Sequence, residues 1–235
     1  NVRIDAIGRA VGRRACQRSR SIAEIGKTKP GGTVLQAKGE AVGIDVCRAI
    51  RSESGVPIVA VHKGLSGGNR WASPDDIGPA AATHPDVSFV VYHSGFEVSQ
   101  REGPYAEATA DVGVNRLITS VRSAGIAPGG NVYAELGSTW WHLLRRPDEA
   151  AHVLGKLLVA FGEDNILWGT DSIFYGSPQG QIEAFRSFQI PEEMQDRFGY
   201  PALTRGAKAK ILGWNAASLY GIDPITEPVG FTRDD

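Results

Sequence analysis

Short runs of β-branched and other apolar residues recur along the chain, and each run ends in polar residues and glycine. The clearest runs cover residues 56–61, 87–92, 131–134 and 165–168, and a weaker run covers 33–37. Near-continuous apolar runs of this length are typical of parallel strands that are buried on both faces. The pattern therefore predicts five buried strands.

Helical sequence fills the intervals between these runs. Ser73-Pro74-Asp75-Asp76 combines an N-cap residue, a first-turn proline and acidic side chains, which favour a helix start. Arg146-Pro147 and Ser177-Pro178 give similar signals. The other helices are predicted at residues 40–54, 107–123, 150–161, 181–188, 204–212 and 215–220. Alternating strands and helices predict a parallel α/β sheet.

Composition narrows the class of protein. The chain has 235 residues, a formal net charge of −1 and 42% apolar residues, which is ordinary globular composition. It contains no apolar run of about 18 residues that would span a bilayer. The two cysteines, Cys16 and Cys47, have no metal-binding or redox spacing, so we expect a reducing compartment, the cytoplasm.

Basic residues are concentrated at the start of the chain. Residues 1–50 carry ten basic and four acidic side chains, and six arginines precede position 21. A nucleic-acid-binding arm is one interpretation, but interleaved aromatic residues and a recognisable binding module are missing. We interpret residues 1–32 as a basic leader and expect residues 1–30 to be mostly exposed.

Four of the strand ends carry side chains suited to catalysis. His62, His93, Glu135 and Asp171 follow successive apolar runs, and in α/β barrels such positions line the active site. Imidazole and carboxylate groups suit zinc, manganese or iron, and a bound divalent ion would generate hydroxide near neutral pH. Glu135 has three interpretations: it orients a ligand, it binds substrate, or it pairs with Lys63.

The remaining histidines separate into two groups. His142 follows Trp140-Trp141 beyond a strand end, so we take Trp141 and His142 as candidate substrate-binding residues. His84 precedes a proline in a loop and His152 lies within a predicted helix, and neither is assigned a role in the site.

Several strings resemble one enzyme family. They are VHKGL at 61–65, VVYHSG at 90–95, NVYAELGST at 131–139, ILWGTDS at 166–172 and KILGWNAASLYGI at 210–222. They resemble the amidohydrolase-related family, in its branch with aminocarboxymuconate semialdehyde decarboxylase. The resemblance implies a (β/α)8 TIM-type barrel that holds one divalent metal ion, and zinc is the metal that we expect first. By the same resemblance, His62 is a metal ligand of strand five, His93 polarises substrate or water, and Asp171 is a metal ligand and proton acceptor of strand eight.

The chain departs from the family pattern at its start. The His-x-His pair that supplies two further metal ligands after the first strand is not found in this sequence. Counting back from Asp171 leaves about strands 4–8, so we expect the C-terminal part of a barrel. The predicted organisation is a leader at 1–32, the barrel domain at 33–223 and a tail at 224–235.

These observations favour a metal-dependent hydrolase that cleaves an amide, ester or lactone bond through a metal-activated water. Non-oxidative decarboxylation of an aromatic or unsaturated acid is the alternative reaction. A truncated, non-catalytic barrel fragment is the alternative of a different class, because the His-x-His pair is missing. The expected partner is a small-molecule substrate, without nucleic acid or membrane, and a homo-oligomer is left open.

Overall fold

The fold is given by a computed structural model that describes residues 57–67 and 69–223, together with the backbone of two strands at 22–27 and 33–38. The predicted helix at 40–54 and the predicted tail at 224–235 lie outside the described residues. The expected exposure of residues 1–30 is likewise outside what the structure describes, which for this segment is only the backbone of the strand at 22–27.

One six-stranded sheet organises the described residues, and its strands are adjacent in the order in which they occur in the chain. The first pair is antiparallel, and every later pair is parallel. The strands are β1 (Ile22–Lys27), β2 (Thr33–Lys38), β3 (Ile58–His62), β4 (Ser88–Tyr92), β5 (Val132–Glu135) and β6 (Ile166–Leu167).

The five parallel strands confirm the α/β class predicted from the sequence, and their sequential order is that of consecutive strand–helix units in a barrel. Strand β1 was not predicted, because we interpreted residues 1–32 as a leader without a strand. It is a short segment, IAEIGK, next to an arginine-rich stretch that carries no strand periodicity.

Nine α-helices are described between and after the strands. They are α1 (Ile77–Thr83), α2 (Asn115–Ser123), α3 (Thr139–Leu143), α4 (Pro147–Phe161), α5 (Ser172–Tyr175), α6 (Gln179–Ser187), α7 (Glu192–Phe198), α8 (Arg205–Ala209) and α9 (Asn215–Tyr220). A π-helical turn at Lys210–Trp214 joins α8 to α9. In this part of the chain, none of the helices is long and apolar enough to cross a membrane.

The proline-marked helix starts were predicted well, but the helix at 107–123 was predicted too long. Only a 3₁₀ turn (Glu107–Thr109) and α2 are helical there. Gly113 has φ +51°, and its N–H donates to the Gln100 Oε1 atom at 2.6 Å. The N–H of Val114 donates to Glu102 Oε1 at 2.9 Å, so a buried carboxylate satisfies the N-terminal end of α2 and sets where the helix begins.

The other oxygen of Glu102 takes part in a hydrogen-bonded connection between α2 and α4. Glu102 Oε2 accepts from Lys156 Nζ at 2.7 Å, and the same ammonium group donates to Asn115 Oδ1 at 2.7 Å. Both charged side chains are almost completely buried. Burial lowers the pKa of Lys156, and the carboxylate of Glu102 opposes that shift. This pair therefore connects α2 and α4 through partners that satisfy each other.

Apolar side chains of the strands alternate between two cores. One face of the sheet, with Val59 and Val61 of β3, packs against the helices. The opposite face, with Ile58 and Ala60, packs against Leu219 of α9 and its neighbours. Burial on both faces explains why these strands appear in the sequence as continuous apolar runs rather than alternating ones.

Candidate active site

The four strand-end residues all lie at the carboxyl edge of the sheet. His62 is the last residue of β3 and Glu135 the last of β5, whereas His93 directly follows β4. Asp171 follows β6 after a three-residue connection and precedes α5. Parallel strands present their carboxyl ends on one side, so the local sequence of each strand end decides which group is presented there.

The structure brings three of these side chains together. The ring centroids of His62 and His93 are 4.4 Å apart, with the rings at 73° to each other. The Nδ1 atom of His93 lies 3.6 Å from the Oδ2 atom of Asp171. These distances agree with the expectation that His62, His93 and Asp171 converge, and the catalytic and metal-binding roles assigned to them stay predictions.

Left-handed backbone conformations shape this edge. Among the described residues, every non-glycine residue with positive φ lies beyond a strand end: Leu65, His93, Ser94, Ser138 and Asp171. In a continuing strand, His93 would lie on the face opposite Tyr92. Its φ of +66° instead turns the ring toward His62. Non-glycine residues adopt such angles at an energetic cost, and they concentrate at functional sites.

The hydrogen bonds of His93 fix its tautomer. Nδ1 lies 2.6 Å from the carbonyl oxygen of Gly137, and that oxygen can only accept, so Nδ1 carries a proton. The Nε2 atom of the neutral ring then holds a lone pair, and it donates only when the ring is protonated. The backbone carbonyl of His93 accepts from Thr139 Oγ1 at 3.0 Å, which holds the turn in place.

Glu135 is enclosed by backbone at this edge. Its Oε2 accepts from the N–H of His93 at 3.2 Å, and its Oε1 accepts from the N–H of Gly137 at 2.8 Å. A Cβ atom at Gly169 would lie 1.5 Å from Glu135 Oε1, so the absence of a side chain there makes room for the carboxyl group. Glu135 therefore contacts the ends of three neighbouring strands.

Burial has a large effect on the ionisation of Glu135. Desolvation raises its pKa to about 7, the two backbone hydrogen bonds oppose the rise, and the charge of Asp171 adds to it. Burial also raises the pKa of Tyr92 to about 12, with Tyr220, Glu135 and Asp171 contributing. The site therefore holds a carboxyl group that changes charge near neutral pH beside a tyrosine that stays protonated.

The interpretation that Glu135 pairs with Lys63 is wrong. Lys63 Nζ lies 2.8 Å from Asp76 Oδ1 and donates to the carbonyl oxygen of Trp71 at 2.9 Å. The physical reason is strand alternation, because Lys63 follows His62 and its side chain lies on the other side of the sheet edge.

Two hydroxyl groups beside Asp171 were not predicted from the sequence. One contacts the carboxylate directly, and the other contacts the first hydroxyl. Ser138 Oγ donates to Asp171 Oδ2, and Tyr175 Oη donates to Ser138 Oγ at 3.0 Å. Ser138 lies within the string NVYAELGST, and Tyr175 comes four residues after Asp171. Both residues are close in sequence to residues already identified as candidates, Ser138 to Glu135 and Tyr175 to Asp171. Nothing in the sequence indicated that the segments after β5 and β6 bring Ser138 and Tyr175 together.

The structure places the two candidate substrate residues on α3, beside this hydroxyl pair. The Trp141 ring stacks on Tyr175 with centroids 4.7 Å apart. His142 lies between Phe96 and Tyr175, at 6.1 Å from each ring, and burial lowers its pKa, with Arg146 and His93 adding to the effect. Both residues adjoin the site, and their binding of substrate stays a prediction.

The two histidines that received no role lie elsewhere. His84 follows α1 and its carbonyl accepts from Asn131 Nδ2 at 3.0 Å. His152 lies on α4, where its Nδ1 is 3.0 Å from Tyr200 Oη.

The described side chains do not form a complete metal site. Across residues 57–67 and 69–223, no group of three or more His, Cys, Asp or Glu side chains is arranged to hold a metal ion. His93 Nδ1 is bonded to a carbonyl oxygen, and Asp171 Oδ2 accepts from Ser138. The expected ligands His62 and Asp171 each lie next to His93, but in this part of the chain the donor set falls short of the number that catalytic metal ions take.

Comparison with solved structures gives distant matches. A crystal structure of a candidate 2-pyrone-4,6-dicarboxylic acid hydrolase from Pseudomonas putida is 17% identical, with a TM-score of 0.42, over 80% of this chain and 71% of that one. A 2,6-dihydroxybenzoate decarboxylase in complex with 2,6-dihydroxybenzoate is 14% identical, with a TM-score of 0.40, over 76% of this chain and 54% of that one. A comparison with curated proteins finds no match.

A family comparison covers most of the chain. The family model described as Amidohydrolase matches residues 49–222, which include all four strand-end residues and β3 to β6. This agrees with the resemblance that the strand-end strings indicated. The chain belongs to the amidohydrolase family.

Proposed function

We propose that the protein is a hydrolase that cleaves an amide, ester or lactone bond of a small molecule at the carboxyl edge of the sheet. The observation that supports this most is the cluster of His62, His93 and Asp171 beside a buried carboxyl group, Glu135. Family membership supports enzymatic activity in general, and the choice of hydrolysis is our own.

In the proposed reaction, water attacks the carbonyl carbon and its proton passes to the Asp171 carboxylate. When the His93 ring is protonated, its Nε2–H donates to the oxygen that becomes negative in the transition state. Collapse of the tetrahedral intermediate expels the amine or alkoxide, which takes up the proton. Trp141 and His142 contribute an aromatic wall to the substrate-binding surface.

Members of the amidohydrolase family usually use a divalent metal ion. Because the described residues provide no group of three ligands, the proposed steps use only the protein's own groups. Dependence on zinc, manganese or iron remains part of the hypothesis and is tested by chelation. We also propose a cytoplasmic location and a small-molecule substrate, without nucleic acid or membrane as partner.

A panel of aryl esters, lactones and anilides tests the hydrolase proposal. Turnover should fall at least tenfold in Asp171→Asn, which loses the proton acceptor, and in His93→Gln, which loses the imidazole that donates to the developing oxyanion. His152→Gln is the matched control, since it removes a partly buried histidine of α4 whose Nδ1 lies 3.0 Å from Tyr200 Oη. Equal activity in all four proteins would refute the proposed site.

The same proteins distinguish the alternatives. Release of carbon dioxide from aromatic or unsaturated carboxylic acids, without hydrolysis of the panel, would establish a decarboxylase instead. A non-catalytic domain is the second candidate, and the incomplete ligand set within the described residues is the observation that favours it. It predicts no turnover with any substrate, with or without added zinc or manganese.

A further inference from the structure

Helix α5 begins immediately after Asp171, and the two apolar residues next to its start extend mostly into solvent. None of its four residues is buried, and the side chains of Ile173 and Phe174 are 87% and 77% exposed. Asp171 itself adopts the left-handed conformation, with φ +47°. Hydrophobic burial within α5 therefore does little to fix the direction of the Asp171 carboxylate.

Two hydroxyl groups supply that restraint. Tyr175 Oη donates to Ser138 Oγ at 3.0 Å, and Ser138 Oγ donates to Asp171 Oδ2. Each hydroxyl has one hydrogen, and an ionised carboxylate can only accept, so the direction of the chain is Tyr175 to Ser138 to Asp171. Ser138 is buried three residues after the last residue of β5, so the hydrogen-bonded chain connects α5 to the edge of the sheet. Hydrogen bonds to a charged acceptor are stronger than neutral ones.

Tyr175 is held at both ends. Its ring lies nearly parallel to Trp141, at 19° and 4.7 Å between centroids, while its hydroxyl contacts Ser138. Trp141 and Ser138 both belong to the segment that follows β5, so Tyr175 connects this segment to the one that follows β6. Ser138 adopts φ +55°, an unfavourable angle for serine that places its hydroxyl at this junction.

We propose that Ser138 and Tyr175 are positioning residues, which together fix the Asp171 carboxylate for proton transfer. The catalytic part of this inference rests on the proposed hydrolase function. The hydrogen-bonded chain itself does not, so it is tested first without any substrate.

A double-mutant cycle in urea unfolding tests the hydrogen bond between Ser138 and Asp171. Ser138→Ala, Asp171→Ala and the double variant are compared with the unmodified chain. We expect a coupling of about tenfold in the unfolding equilibrium constant, because the bond joins a hydroxyl to a charged acceptor. Additive effects would overturn the proposal, whatever the activity of the protein.

Tyr175→Phe tests positioning, because it keeps the ring that stacks on Trp141 and removes only the hydroxyl. We expect kcat to fall about tenfold while KM stays within about twofold, since substrate contacts are unchanged. Tyr105→Phe is the matched control, because it removes a tyrosine hydroxyl that lies outside the site, 3.1 Å from Thr119 Oγ1 on α2.

The outcomes separate the two hypotheses. Coupling together with a selective loss of kcat supports positioning, and coupling with unchanged kcat in Tyr175→Phe overturns it. Coupling in a protein that hydrolyses no member of the panel would support the hydrogen-bonded chain and refute the proposed function.

Discussion

Glu135→Gln should change how stability depends on pH. The buried wild-type carboxyl group has its pKa raised from 4.5 to about 7, chiefly by desolvation. Glutamine has nearly the same shape but does not ionise. One end of the amide still accepts from the N–H of Gly137, while the other end places an NH₂ group against the N–H of His93.

The expected magnitude follows from the two pKa values. In the unfolded chain Glu135 loses its proton near pH 4.5, but in the folded protein it holds it to about pH 7. Between these limits the folded state binds more protons, so stability falls as the pH rises. A difference of about 2.5 pKa units corresponds to about 3 kcal/mol at most, all of it lost above pH 7.

Urea unfolding of the wild type and Glu135→Gln, from pH 4 to pH 8, measures this effect. The difference in unfolding free energy, wild type minus variant, should fall by up to about 3 kcal/mol between pH 4.5 and pH 7. The mismatched amide adds an offset of about 1–3 kcal/mol, which does not vary with pH, so only the slope is diagnostic.

Glu183→Gln is the matched control, because Glu183 is exposed on α6 and its carboxylate accepts from Gln179 Nε2 at 3.0 Å. Its difference curve should stay flat through the same range. A flat curve for Glu135→Gln as well would refute the conclusion that burial controls this carboxyl group.

Three further changes have definite expected results. Gly169→Ala should destabilise the fold by about 2 kcal/mol or more in thermal unfolding, because the added Cβ would overlap a carboxyl oxygen of Glu135. Gly180→Ala in α6 is the control, because its Cβ meets no neighbour, and it should stabilise the fold by up to about 1 kcal/mol. Lys156→Met should cost about 3–5 kcal/mol in urea unfolding, since Glu102 is left buried and unpaired, and a loss below 1 kcal/mol would contradict this. Zinc and manganese should bind weakly by calorimetry, and more weakly still in Asp171→Asn; tight binding by the wild type would show that further ligands complete the site.

The strand ends were the part of the site that the sequence predicted best. Each long apolar run is buried on both faces, and its end is marked by a change to polar residues and glycine. Because parallel strands present these ends together, His62, His93 and Asp171 could be grouped without a structure. Three elements were missed because nothing in the sequence marks them in this way. Strand β1 lies in the segment that we interpreted as a basic leader, and α5 and α7 (Glu192–Phe198) are too short for a helical hydrophobic period to emerge.

The orientation of the site residues could not be predicted from local sequence. Strand alternation alone would place His93 on the face opposite Tyr92, and the observed turn depends on contacts from other elements. Its N–H is bonded to Glu135 and its carbonyl to Thr139, both of which are more than 40 positions away in the chain. The position of Ser138 beside Asp171 has the same origin, since it depends on the pairing of β5 with β6.

Glu135 shows why stability and site geometry oppose each other here. The ionised carboxylate accepts from both His93 and Gly137, so the charged form holds the β4 and β5 ends most firmly. The same charge is buried, and it reduces the stability of the fold as the pH rises toward 7. A neutral carboxyl group relieves that cost but accepts these hydrogen bonds more weakly than a carboxylate does, so the turn that carries His93 is then held less tightly. The hydrogen bonds from Glu135 to this edge of the sheet are thus strongest in the pH range where Glu135 contributes least to stability.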